Sequence, residues 1–225
     1  VVVLDDGAVG VSSVPSGAST GTYEAHELRD GDPNWYLGLG VQKAVVNVNQ
    51  AIVGQFVGQD IKEVRELDQK LIALDGTATK TNLGANAILA VSVAFTKAMA
   101  VSARQPLYKY IGQIAKNSQP FFIPTPLFNM INGGKHGAGN LDFQEFWVVP
   151  NHLNSFAKAL ETGAVIYQNL KKLLARRGAI HSVGDEGGFA PNLFTNLDAL
   201  EILNESIVQS GRKPSIDVEL GLDLA

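Results

Sequence analysis

Three acidic residues stand where a folded chain could use them: Glu145 inside a strand-like run, Glu186 just after one, and Asp223 at the end of a third. In a β/α barrel the C-terminal ends of parallel strands open on a common mouth, so acids placed there converge on one substrate or one metal. Carboxylate oxygens suit Mg²⁺, a hard cation usually held by one or two carboxylates, with water and substrate oxygens completing its octahedron. Glu186 lies in Gly184-Asp185-Glu186-Gly187-Gly188, whose glycines let the backbone turn sharply and approach a ligand. A second segment, Asn132-Gly133-Gly134-Lys135-His136-Gly137-Ala138-Gly139-Asn140, carries one histidine between glycine hinges, a composition suited to a lid that excludes water. A third, Ser16 to Gly21, offers hydroxyls and backbone groups to a phosphate or metal, but lacks the glycine-lysine-serine/threonine ending of a P-loop. Taken singly, each has a plainer reading: Asp223 as a solvated turn acid, the Glu186 segment as a surface turn, His136 as a linker histidine, and Ser16 to Gly21 as a flexible connection. His26, His152 and His181 stand in no constellation and read as structural.

The elements that must position these residues fall into two rhythms. Val1 to Leu4 and Ala8 to Val14 are strand-like runs about Asp5-Asp6-Gly7, a hairpin signal. From Val41 the period turns helical, with Val41, Val45, Val48 and Ile52 on one face. Asp60 and Glu63 predict a capping box ahead of Ile61, Val64, Leu67, Leu71 and Leu74. Leu83 to Arg104 is apolar nearly all round, so other elements should surround it. After the Gln119 to Pro126 segment, strands alternate with helices. Pro124 to Met130, Phe143 to Val149, Ile180 to Val183 and Val218 to Leu224 read as strands. Ser155 caps a long helix that stops at Gly178, and a second amphipathic helix carries Leu197, Leu200, Leu203 and Ile207 and ends at Gly211. The fold class expected is an α+β N-terminal domain over residues 1–119, followed over 120–225 by a parallel sheet or the opening of an α/β barrel. A closed barrel is not expected there, because a typical one needs about 250 residues.

Composition narrows the chemistry. The 225 residues are 45% hydrophobic and 18% charged, which suits a globular protein. A net charge of −4 leaves no reservoir of positive charge for a nucleic-acid backbone, so DNA and RNA are disfavoured as partners. The chain has no cysteine, which excludes disulfides and thiolate chemistry by inventory. The longest apolar stretch, Leu83 to Val101, is broken by Gly84, Asn86, Ser92, Thr96 and Lys97 and reads as a core helix rather than a membrane span. No signal peptide is visible. Both ends, Val1-Val2-Val3-Leu4 and Leu222-Asp223-Leu224-Ala225, have strand character, so the expectation is a piece of a longer protein.

In order and spacing, several segments resemble the enolase family over essentially the whole chain. They are Val14 through Gly21, Glu27 through Asp32, Leu83 through Leu89, Asn132-Gly133-Gly134 with His136, Gln144-Glu145-Phe146, Val183 through Asn192, and Gly221-Leu222-Asp223. The resemblance implies a lyase interconverting 2-phosphoglycerate with phosphoenolpyruvate and water in glycolysis and gluconeogenesis. It implies an α+β domain followed by the start of a TIM-like barrel. It assigns Glu186 as the acid that helps the substrate hydroxyl leave, with Glu145 beside it and His136 in the closing loop. His136, Gln144, Glu145 and Ala18 are implied in substrate binding, and Ser19 and Asp223 as ligands of separate Mg²⁺ ions. The cofactor implied is Mg²⁺, two ions per complete site, because proton removal beside a carboxylate creates an intermediate whose charge divalent ions stabilise. Enolase-superfamily sites are known to pair a lysine or histidine base with one or two Mg²⁺ ions. The resemblance places the lysine base, two further carboxylates and a His-Arg-Ser cluster beyond Asp223, so the 225-residue chain alone is expected to be inactive. Leu39 stands where the family often has lysine. Also implied are a cytoplasmic location, a homodimer or higher homo-oligomer, and no membrane span.

Two rival readings stay in view. A sister enzyme acting on another carboxylate would carry a lysine-x-lysine motif on an early barrel strand, where this chain reads Phe143-Gln144-Glu145. The other rival is a non-catalytic binding or structural protein of enolase type.

Overall fold

Asp5-Asp6-Gly7 reverses the chain between β1 (Val2–Val3) and β2 (Val9–Gly10), which pair antiparallel. The Asp6 carboxylate accepts from the Ala8 amide at 2.9 Å and fixes the turn. The expected strands are longer than those observed, since pairing is confined to Val2↔Gly10 and Val3↔Val9. The computed structural model describes residues 1–17, 21–134, 137, 141–151, 153 and 155–224. The chain divides into two compact units, Val1–Gln119 and Pro120–Ala225.

In the first unit a second hairpin, with Asp30 N donating to Gly40 O and Gly31 N to Gly38 O, ends in a tight turn. Gly38 N donates to Trp35 O at 3.0 Å, and Tyr36 and Leu37 take φ values of 48° and 54° at its tip. A helical run then follows: α1 (Gln42–Val46), a π-helical stretch (Asn47–Ile52) and α2 (Val53–Phe56). α3 (Val64–Asp75) starts later than the sequence suggests, and the expected Asp60/Glu63 capping box does not form. Glu63 is itself the extended N-cap residue without a side-chain cap bond, while Asp60 pairs with Lys62 at 3.4 Å. Glu66, in the first turn, accepts from the Lys62 amide at 3.2 Å instead.

α4 (Ala85–Ser102) is the apolar helix, with a mean hydropathy of 1.5 over its 18 residues, so by length and composition alone it could cross a membrane. Here it buries Ala94, Phe95 and Ala98 and packs against α3 and the β1–β2 hairpin. α5 (Leu107–Ile114) follows it. Ile52, Leu67, Leu71, Leu83 and Phe95 form this unit's core. Asp75, 1% exposed at the end of α3, accepts from the Thr77, Asn82 and Leu83 amides at 3.0, 3.1 and 2.7 Å and ties α3 to the segment leading into α4.

The second unit is a three-stranded sheet in the order β3 (Phe128–Asn132), β4 (Glu145–Val149), β5 (Glu219–Asp223). The parallel sheet expected from the β/α alternation is not what the neighbours form: β4 runs antiparallel to both β3 and β5. The physical reason is the connection. Among the described residues of the 133–144 connection no helix returns the chain, and antiparallel strands need no crossover. The expected strand at Ile180 to Val183 shrinks to a single bridge, Val183↔Phe189, in an exposed segment. No closed barrel forms among the described residues.

Two helices cover one face of the sheet. α6 (Phe156–Arg176) is capped by the Ser155 hydroxyl, which accepts from Lys158 N, and it ends just before Gly178. α7 (Asn196–Gln209) starts in a full capping box between Thr195 and Asp198, which the sequence reading had not singled out. Strand alternation sorts the faces. Phe146 and Val148 go into the core with Ile131, Ile166, Leu170, Leu174, Ile202, Leu203 and Ile207, leaving Glu145 and Trp147 on the other face.

Candidate active site

The register brings two of the expected acids side by side. Asn132, the last residue of β3, lies opposite Glu145, the first of β4, and Glu145 lies opposite Asp223, the last of β5. The three form one row across the sheet. Glu145 reaches this row because β4 runs backwards: its start, not its end, lies beside the ends of β3 and β5. Gln144 closes the same end through its backbone, donating to Asp223 O at 2.9 Å and accepting from Gly133 N at 2.9 Å.

Glu186 arrives by a different route. Gly184-Asp185-Glu186-Gly187-Gly188 is a tight turn, with Gly184 N donating to Gly188 O at 2.8 Å and Gly187 N to Gly184 O at 3.1 Å. Phe189 docks the turn on the free edge of β3, donating to Met130 O and accepting from Asn132 N at 2.9 and 2.8 Å. From α6, the Tyr167 hydroxyl donates to Gly187 O at 2.9 Å and the Tyr167 ring stacks on Phe189 at 4.4 Å. So held, the Glu186 carboxyl faces that of Glu145 closely enough for each to oppose the other's charge.

That contact has an electrostatic signature. Burial comes first in pushing the Glu145 carboxyl above its ordinary value; the bond to Glu186 and the charges of Glu186 and Asp223 push the same way. The Trp147 indole, donating to Glu145 Oε2, works in the opposite direction. Two facing carboxylates resist ionising together, which favours the protonated form of Glu145 and makes it a group that can hold a proton for a reaction.

β3 supplies two further residues that the sequence reading passed over. The register slips between Asn129 and Ile131, a bulge that leaves Met130 as the extra residue. In a regular strand, residues three apart face opposite sides. The bulge restores Asn129 and Asn132 to one side, where Asn129 Nδ2 donates to Asn132 Oδ1 at 2.7 Å. Trp147 was also missed, although its place two residues after Glu145 on a strand puts both on one face and could have signalled it.

Ala18, Ser19 and His136 lie outside the described residues. Among the described residues no group of three or more His, Cys, Asp or Glu side chains could hold a metal ion. Glu145 is engaged with Glu186 and Trp147, an arrangement unlike the oxygen shell that Mg²⁺ demands. The described residues therefore do not fit a Mg²⁺ site by themselves. Compared with known families, residues 1–111 match the model of the enolase N-terminal domain and residues 120–225 that of the enolase C-terminal TIM barrel domain.

Proposed function

Because this chain belongs to the enolase family, we propose that it serves the lyase reaction interconverting 2-phosphoglycerate with phosphoenolpyruvate and water. The observation that carries this reading is the pair of facing carboxyl groups, Glu145 and Glu186. Dehydration removes the proton from the carbon beside the carboxylate, whose electrons form the double bond, and breaks the bond to the hydroxyl on the next carbon, which leaves as water only if a proton reaches its oxygen. Glu186 is the donor in this reading. Burial and the facing Glu186 carboxyl push Glu145 above its ordinary value, so the pair holds a proton more firmly than a free glutamate would. In the reverse direction the pair takes the proton back as water adds.

The remaining roles belong to the same proposal. His136, Gln144 and Ala18 contact substrate, while Asp223 and Ser19 would help to hold Mg²⁺ in a complete site. The enolase family generally uses this metal, which when bound supplies positive charge against the substrate carboxylate. Since the described residues do not assemble a site for it, the proton step rests on the carboxyl pair alone. The reading also carries a glycolytic setting, a cytoplasmic location and assembly into homo-oligomers.

The test is a turnover assay with 2-phosphoglycerate and saturating Mg²⁺, following phosphoenolpyruvate by absorbance. In a complete version of this protein, Glu186→Gln keeps the shape and removes the transferable proton, so turnover should fall about 10² to 10⁴-fold with a smaller change in KM. Near-normal turnover by the variant would move the acid role elsewhere. The second reading is a non-catalytic binding or structural protein of enolase type. A folded, complete version of the protein without turnover at any Mg²⁺ concentration supports that one.

A further inference from the structure

Asn132 is fully buried and touches both halves of the carboxyl pair's support: it lies opposite Glu145 in the sheet and beneath the turn that carries Glu186. A methyl group on Gly184 would come within 2.5 Å of Asn132 Nδ2. One on Gly188 would come within 2.6 Å of Asn132 Oδ1 and 2.8 Å of Asn129 Oδ1. Both arms of the turn thus rest directly on the two amides, and glycine at 184 and 188 is what allows the approach.

Asn132 Nδ2 and Asn129 Oδ1 are buried and have no hydrogen-bond partner among the described residues. An unmet buried polar atom is unfavourable, and an apolar side chain of the same shape would avoid it. The Met130 bulge, which alone puts these residues on one face, is a device that re-aims side chains and recurs beside active sites.

We propose that the Asn129–Asn132 amide pair is the positioning element for Glu186, seating the Gly184–Gly188 turn so that the Glu186 carboxyl meets Glu145. The inference rests on the reading of Glu145 and Glu186 as the proton-handling pair.

The chain carries its own reporter. It has two tryptophans, and the Trp147 indole N–H donates to Glu145. In a ¹H–¹⁵N spectrum of the 225-residue chain, Trp35→Phe assigns the Trp147 indole signal. Glu186→Gln should displace that signal, because Glu145 then faces an amide instead of a carboxyl. Asn132→Leu should displace it in the same direction, and the Asn132→Leu/Glu186→Gln double variant should move it no further than Glu186→Gln alone, since both remove one contact. Should Asn132→Leu fail to fold, Gly188→Ala crowds the same amides from the other side and should give the same displacement. A folded variant that leaves the signal in its wild-type place, or displacements that simply add, would overturn the positioning role. If Glu186→Gln itself leaves the signal unmoved, the Glu145–Glu186 contact is wrong and the functional reading falls first.

Discussion

Ionising Glu145 in the folded chain is opposed first by burial and then by Glu186 and Asp223, whereas in the unfolded chain it titrates at an ordinary value of about 4.3. A folded value raised above the unfolded one contributes stability that is complete below about pH 4 and is lost as pH rises through the folded value. Glu145→Gln should therefore raise the Tm near neutral pH, and melts repeated down to about pH 4 should show the gain vanish. Asp75 has the opposite sign. Burial works against its charge, but the hydrogen bonds from Thr77, Leu83 and Asn82 outweigh it and hold the carboxyl below its ordinary value. Its contribution is present above an unfolded value of about 3.9 and is lost as pH falls through the folded one. Asp75→Asn turns an amide donor toward these donors and should cost about 1–3 kcal/mol at neutral pH by denaturant titration. Glu145, Glu186 and Asp223 could be picked out in the sequence because acids beside strand ends are a visible pattern. The amide pair could not: the Met130 bulge that joins Asn129 to Asn132 carries no glycine or turn residue to announce it.

Helices α6 and α7 were readable because their apolar period spans many turns, and Ser155 caps α6 as its type suggests. Ser155→Ala should destabilise the chain by about 1 kcal/mol, with faster amide exchange confined to the first turn of α6. Midway along α6, Gly163 lets the helix lie on the Phe128 ring, whose carbons would stand 2.5 Å from an added methyl. Alanine there gains about 1 kcal/mol of helix propensity. Overpacking costs about 1–3 kcal/mol, so Gly163→Ala should lower stability on balance, which a melt checks directly. The misreadings at this scale share one cause. The Asp60/Glu63 pair has the spacing of a capping box, but spacing does not say where the backbone becomes helical, and α3 begins at Val64. Likewise Ile180 to Val183 has strand-like residues but only one bridging residue, and a strand exists only where a neighbour pairs with it.

Each unit buries its own core, Leu71 in the first and residues such as Ile202 in the second. Leu71→Ala should cost about 2–5 kcal/mol, and hydrogen exchange should speed up within Val1–Gln119 rather than in Pro120–Ala225. The change from a helical run to strands around Gln119 to Pro126 could be read from the prolines and the new period. The direction of β4 could not, because alternation counts elements without saying which way each runs.

The turn at Tyr36 and Leu37 holds something in reserve. Both bulky residues sit at positive φ with 72% and 87% of their surface exposed, a geometry that asparagine and glycine adopt with far less strain. The tip is thus a site where selection has left room: exchanging the pair for Asn-Gly should make the fold more robust, and a foreign peptide grafted between them should disturb little else.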